Sequence, residues 1–87
     1  MHEASLINDL MRRVSDVAAS KGASRVVGVD VWLGALSHFS AEHFREHFAE
    51  SSRGTLAEGA ELRVVLSEDI AHRDAQAVML TSVEVEE

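Results

Sequence analysis

The sequence contains no cysteine and no proline. Without thiols there are no disulfides, no thiolate metal sites and no cysteine nucleophile. A cysteine-free chain is consistent with a reducing compartment. Aromatics are scarce, limited to Trp32, Phe39, Phe44 and Phe48. Positive charge is scarce as well: 8 Lys and Arg stand against 15 Asp and Glu, for a net charge of −7. An acidic surface with no basic stripe argues against nucleic acid, because phosphate contacts need clustered Lys and Arg. No apolar run approaches the ~20 residues that span a bilayer. The N-terminus has no positive segment followed by an apolar core, so no signal peptide is expected and the cytoplasm is the expected location.

What is present fits one domain covering residues 1–87. The chain is 46% hydrophobic and 26% charged, an ordinary globular balance. A domain of this size buries only roughly 60–65% of its unfolded surface, so the core is small. Residues 5–21 predict an amphipathic helix, with Leu6, Ile7, Leu10, Met11, Val14, Val17 and Ala18 on one stripe. Gly22 is placed to stop it in the left-handed conformation. Residues 25–33 predict a strand with Val27, Val29, Val31 and Leu33 on one face and Val26, Gly28, Asp30 and Trp32 on the other. Gly34 begins a turn. A second helix is expected over 41–51, capped by Ser40, with Phe44 and Phe48 one turn apart.

Gly54-Thr55 and Glu58-Gly59 mark a loop. A second strand follows over 60–66, with Leu62, Val64 and Leu66 inward. A third runs over 78–86, with Met79, Thr81, Val83 and Val85 alternating against Glu84 and Glu86. The polar segment 67–76 reads equally as a loop or a short helix, since no proline forbids one. The order helix, strand, helix, strand, strand predicts an α+β fold with two helices on one face of a three-stranded mixed sheet. The strand–helix–strand crossover makes the first two strands parallel. The second and third would then pair antiparallel.

The chemistry concentrates at Met1-His2-Glu3. A free α-amine, the backbone nitrogen of His2 and its imidazole close fused rings around one metal ion. Such a nitrogen set favours square-planar Cu(II) or Ni(II), although from the tripeptide alone a solvent-exposed second residue is the better reading of His2. His2 is too large for Met1 to be removed, so the chelate register should persist. Glu3 offers its amide nitrogen as a further ligand; its carboxylate is better explained by the positive end of the following helix.

His43-Phe44-Arg45-Glu46-His47 matches the inverted zinc-protease pattern H-x-x-E-H. A hydrolase would need a third ligand and a cleft, and 87 residues offer little room. Incidental solvent-facing histidines explain the pattern better. A secondary metal site using His38, His43 or His47 is the minor alternative, and His72 should be exposed. No serine is tied by a motif to a histidine and an acid, and the glycines form no phosphate loop. No catalytic residue and no nucleotide site are therefore assigned. Trp32, opposite the apolar row, falls on the open sheet face, where an exposed surface invites pairing with a second copy.

With the elements placed, the chain resembles the HypA/HybF family of nickel-incorporation proteins. The matching residues are Met1-His2-Glu3-Ala4-Ser5-Leu6, Gly34-Ala35-Leu36-Ser37, Gly54-Thr55-Leu56-Ala57-Glu58-Gly59-Ala60-Glu61-Leu62 and Val83-Glu84-Val85-Glu86. The resemblance implies a cytoplasmic metallochaperone, not an enzyme. It would bind Ni(II) through Met1, His2 and Glu3, dock with a nickel-handling GTPase and help deliver metal to the hydrogenase large subunit. Two departures stand out. Family members carry a zinc ribbon of two Cys-x-x-Cys pairs between the last two strands, where this chain has only the short bridge 67–76, so no structural zinc is expected. Many relatives have glutamate where this chain has Ala35. The competing expectation is a metal-independent interaction or regulatory paralogue that self-associates or docks with another maturation factor.

Overall fold

The computed structural model describes the backbone of residues 2–86 and the side chains of 5–86. The elements run α1 (His2–Ser20), β1 (Val26–Leu33), α2 (Ala41–Ser51), β2 (Glu61–Leu66) and β3 (Val78–Val85). They form the expected α+β arrangement, two helices against one face of a three-stranded mixed sheet.

The first helix buries Ile7, Leu10, Met11, Val14 and Ala18, a stripe at three- and four-residue spacing. Leu6, expected in that stripe, is 37% exposed at its margin. The helix ends as a Schellman motif around Gly22. Gly22 takes φ 68°, Ala23 N–H donates to Ala18 O at 2.9 Å, and Gly22 N–H donates to Ala19 O at 3.0 Å. The second helix starts where Ser40 Oγ accepts from His43 N–H at 3.0 Å, which satisfies one first-turn donor. Its Phe44 and Phe48 enter the core, and Phe39 meets Phe44 edge-on with centroids 5.4 Å apart.

The strand order is β2-β1-β3. β1 and β2 are parallel, as the crossover requires, but β3 pairs antiparallel with β1 and not with β2. The most apolar strand takes the centre, where both of its edges and its inner face are covered. Two bulges then reset the side-chain parity. Val26 pairs with Val85 and Gly28 with Glu84, leaving Val27 as an extra residue on β1. Asp30 pairs with Ser82 and Val31 with Leu80, leaving Thr81 extra on β3. Each extra residue shifts the alternation by one. Val26 is therefore buried in place of Val27, and Val78 and Leu80 face the core in place of Met79 and Thr81. On β2, Leu62 is buried and Val64 partly so, but Leu66 is 49% exposed at the strand's end.

Segment 67–76 is a chain of turns, not a helix. It is fastened to the turn after β1: Gly34 N–H donates to Ala77 O at 2.9 Å and Leu36 N–H to Ala75 O at 2.7 Å. A Cβ at Gly34 would lie 2.2 Å from Ala75 O, so only glycine permits this approach.

Candidate metal centre

Met1 lies outside the described residues, as do the side chains of His2 and Glu3. The backbone nevertheless corrects one expectation. The tripeptide does not precede the first helix; α1 opens at His2. Nothing between His2 and Ser5 breaks a helix, and an acidic residue at position 3 suits the positive helix end. Backbone N–H groups in a first turn have no carbonyl four residues behind them. The amide nitrogens of His2 and Glu3 are thus free of intrahelical bonds.

Neighbouring contacts place this end of α1. Leu6 and Leu10 border one hollow with Val78, at the start of β3, while Val17 and Lys21 border another with Leu80 to Val83. Lys21 Nζ also donates to Val83 O at 3.3 Å. α1 thus runs alongside β3 in the same direction. Its amino terminus lies at the sheet end where Leu33 pairs with Val78 and the Gly34–Ser37 turn meets the bridge. In that turn Ser37 Oγ is buried without a hydrogen-bond partner among the described residues.

The other histidines fall into separate surroundings. His38, exposed in the loop before α2, is the one non-glycine residue with positive φ among the described residues, at 69°. His43 and His47 sit one turn apart on α2 with Nε2 atoms 2.9 Å apart. Both rings lie near Phe39, at centroid distances of 6.1 and 6.4 Å. Glu46 and Glu50 border the same shallow hollow. Among the described residues no group of three or more His, Asp or Glu is arranged to hold a metal. His72 is exposed, and its ring contacts Trp32 at 5.1 Å, tilted by 49°. The bridge thus folds over Trp32, which is half-buried on the face expected to be open.

The rest of that face carries a charge cluster that sequence reading missed. Arg63 Nε and Nη2 donate to the two carboxylate oxygens of Asp30 at 2.8 and 3.1 Å. Arg63 also reaches Glu61 at 3.2 Å and Glu84 at 3.3 Å. Ser82 Oγ donates to Asp30 at 2.5 Å. The Arg63 guanidinium, with Ser82, lowers the Asp30 carboxyl from 3.8 to about 2; Asp30 in turn raises Arg63. The available signal was parity: Asp30, Arg63 and Glu84 all occupy positions opposite buried apolar residues. The cluster leaves no apolar seam on this part of the sheet.

Among the described residues no helix is long and apolar enough to cross a membrane. The family model for hydrogenase/urease nickel incorporation, metallochaperone, hypA matches residues 1–84. A hydrogenase maturation factor HypA from Chlorobaculum tepidum is 39% identical over 62 residues, covering 71% of this chain and 55% of the relative. The HypA of Pyrococcus furiosus is 44% identical over 62 residues, covering 71% and 45%. The chain thus spans about half the length of the curated relatives it matches. The solution structure of the Ni metallochaperone HypA from Helicobacter pylori superposes with a TM-score of 0.80 at 18% identity, covering 95% of this chain and 96% of that one. That likeness is one of fold. The family match extends from the amino-terminal tripeptide into β3, and the chain belongs to the HypA family of hydrogenase and urease nickel-incorporation metallochaperones.

Proposed function

We propose that this chain binds Ni(II) at its amino terminus and acts as a metallochaperone or accessory factor in the maturation of a nickel enzyme such as [NiFe] hydrogenase. The Met1 amine, the His2 amide and imidazole, and the Glu3 amide form the donor set. The observation that carries this reading is that α1 opens at His2, leaving the first-turn amides without intrahelical partners. Nickel is cargo here. Binding it displaces protons from the amine and the amides, so affinity rises with pH. Consistent with family membership, the partners are a nickel-handling GTPase and the hydrogenase large subunit, and the setting is the cytoplasm. With no cysteine, a thiolate zinc ribbon is ruled out; the bridge 67–76 stands at the family's zinc-domain position, and nickel handling proceeds without that domain.

Calorimetric Ni(II) titration of chain with an authentic Met1 terminus tests the site. Tight binding that is lost in His2→Ala, and lost again when the α-amine of Met1 is acetylated, supports it. Binding indifferent to both changes refutes it.

A second reading, an interaction module that pairs with itself or with another maturation factor, draws on one observation. Val65, Leu66 and Ile70 are 61%, 49% and 69% exposed at the β2 edge and the adjoining bridge. Sedimentation showing a metal-independent dimer that Leu66→Lys dissociates would favour it. A monomer over a wide concentration range would exclude self-pairing.

A further inference from the structure

The His43–His47 pair belongs to neither the amino-terminal donor set nor the core. Four residues apart on α2, the two rings lie on one helical face. Their Nε2 atoms are 2.9 Å apart, a separation that two bare lone pairs do not tolerate. Something positive must lie between them. In the metal-free chain it is a proton, with one ring donating Nε2–H and the other accepting. A metal ion is the other occupant that satisfies both nitrogens at once.

The distance discriminates between coordination geometries. Imidazole nitrogens bind late first-row cations at about 2.0–2.1 Å, so donors 2.9 Å apart subtend about 90° at the metal. That is the angle between adjacent ligands in a square-planar or octahedral centre. A tetrahedral centre would need the nitrogens to open to about 3.3 Å. The pair is also held in place. Phe39, 5% exposed, meets the His47 ring edge-on and the His43 ring at a tilt. The backbone beneath His43 is fixed by the Ser40 cap. Glu46 and Glu50 border the same hollow and add negative charge without blocking it.

We infer that His43 and His47 form a second, surface site for a divalent cation of square-planar or octahedral preference, Cu(II) or Ni(II) before Zn(II). Both Nε2 atoms are donors, and the remaining positions open to solvent. Each ring then carries its proton on Nδ1. The site lies on the face of α2 away from the core, so a cation held there stays exchangeable.

The test uses the full chain with its α-amine acetylated and His2→Ala, which removes the amino-terminal chelate and leaves the second site alone to read. The probes are Cu(II), Ni(II) and Zn(II) salts, titrated calorimetrically. The expected result is one equivalent of Cu(II) or Ni(II) bound more tightly than Zn(II). Losing a group that merely orients a ligand costs about 10–100-fold in metal affinity. His43→Gln and His47→Gln should therefore each lose at least about tenfold, while His72→Gln retains full affinity. A readout without substitution accompanies it: sub-stoichiometric Cu(II) should broaden the ring resonances of His43 and His47 before those of His38 and His72. Binding unaffected by either glutamine variant, broadening centred elsewhere, or no uptake at millimolar metal would each overturn the inference. Because the terminus is blocked throughout, none of these results bears on the amino-terminal site.

Discussion

Replacing Gly34 by alanine tests how the bridge is fastened to the sheet. The added Cβ would sit 2.2 Å from Ala75 O and 2.5 Å from Ala75 C, both backbone atoms. Ordinary contact begins about 1 Å further out, so the bridge must move by that much. Two hydrogen bonds cross this junction, Gly34 N–H to Ala77 O at 2.9 Å and Leu36 N–H to Ala75 O at 2.7 Å. Overpacking of a tight site costs about 1–3 kcal/mol, and weakening one of these bonds adds about 1 kcal/mol. Gly34 has no positive φ, so alanine recovers about 0.4–1 kcal/mol by restricting the unfolded chain. The net expectation is a loss of about 1–3.6 kcal/mol.

A chain of 87 residues has a total stability of about 4–13 kcal/mol, so the loss is large. At about 4–8 °C per kcal/mol, Tm should fall by about 4–29 °C. Urea denaturation with a parallel calorimetric scan measures it. Gly22→Ala is the contrast: open space surrounds that position, and only the left-handed φ of 68° is at stake, at about 1–2 kcal/mol. Hydrogen exchange adds a local reading, since the amides of Gly34, Leu36 and Ala77 should lose protection together. A Gly34→Ala chain within about 0.5 kcal/mol of the parent would refute the reasoning.

Other expectations follow from the same contacts. Phe44 is fully buried, and Phe44→Ala should cost about 3–5 kcal/mol, seen as an early urea midpoint or outright unfolding. Ser40→Ala removes the α2 cap and should cost about 1 kcal/mol by the same assay, more than Ser5→Ala on the exposed face of α1. Asp30 is lowered from 3.8 to about 2 by Arg63 and Ser82, so its pairing stabilises the fold fully above pH ~4 and is lost as pH falls through about 2. Asp30→Asn should therefore flatten that limb of the stability–pH curve measured by urea unfolding; an unchanged limb would show that the pairing contributes nothing.

Element type and sequence order were legible because the helical stripe of α1, the Ser40 cap and the Gly22 stop are local signals. α2 falls where spacing placed it. Strand partners were not legible, because pairing is decided by what each edge and face can cover. Contiguity suggested β2 beside β3, yet the long apolar run of β1 is what the centre of a sheet requires. The bulges at Val27 and Thr81 follow from that pairing and exist only in relation to a partner strand. No single-strand alternation could have exposed them. Among the site residues, spacing flagged His43 and His47, but their separation comes from rotamers that Phe39 helps fix. The Asp30–Arg63 pair joins residues 33 positions apart, beyond the reach of any local pattern.

The topology gathers several features at one end of the sheet. α1 starts there because it runs alongside β3 in the same direction. β1 finishes there in the Gly34–Ser37 turn, whose Ser37 Oγ is buried without a partner among the described residues. The bridge fastens to that turn through backbone bonds. A substitution that shifts the bridge without touching Met1, His2 or Glu3 should therefore separate two effects. Gly34→Ala, studied at a temperature where the chain remains folded, should keep its tightest Ni(II) affinity if the tripeptide alone sets it. If affinity falls together with the protection of Leu36 and Ala77, the turn and bridge complete the site, and their geometry rather than a zinc domain tunes the hold on nickel.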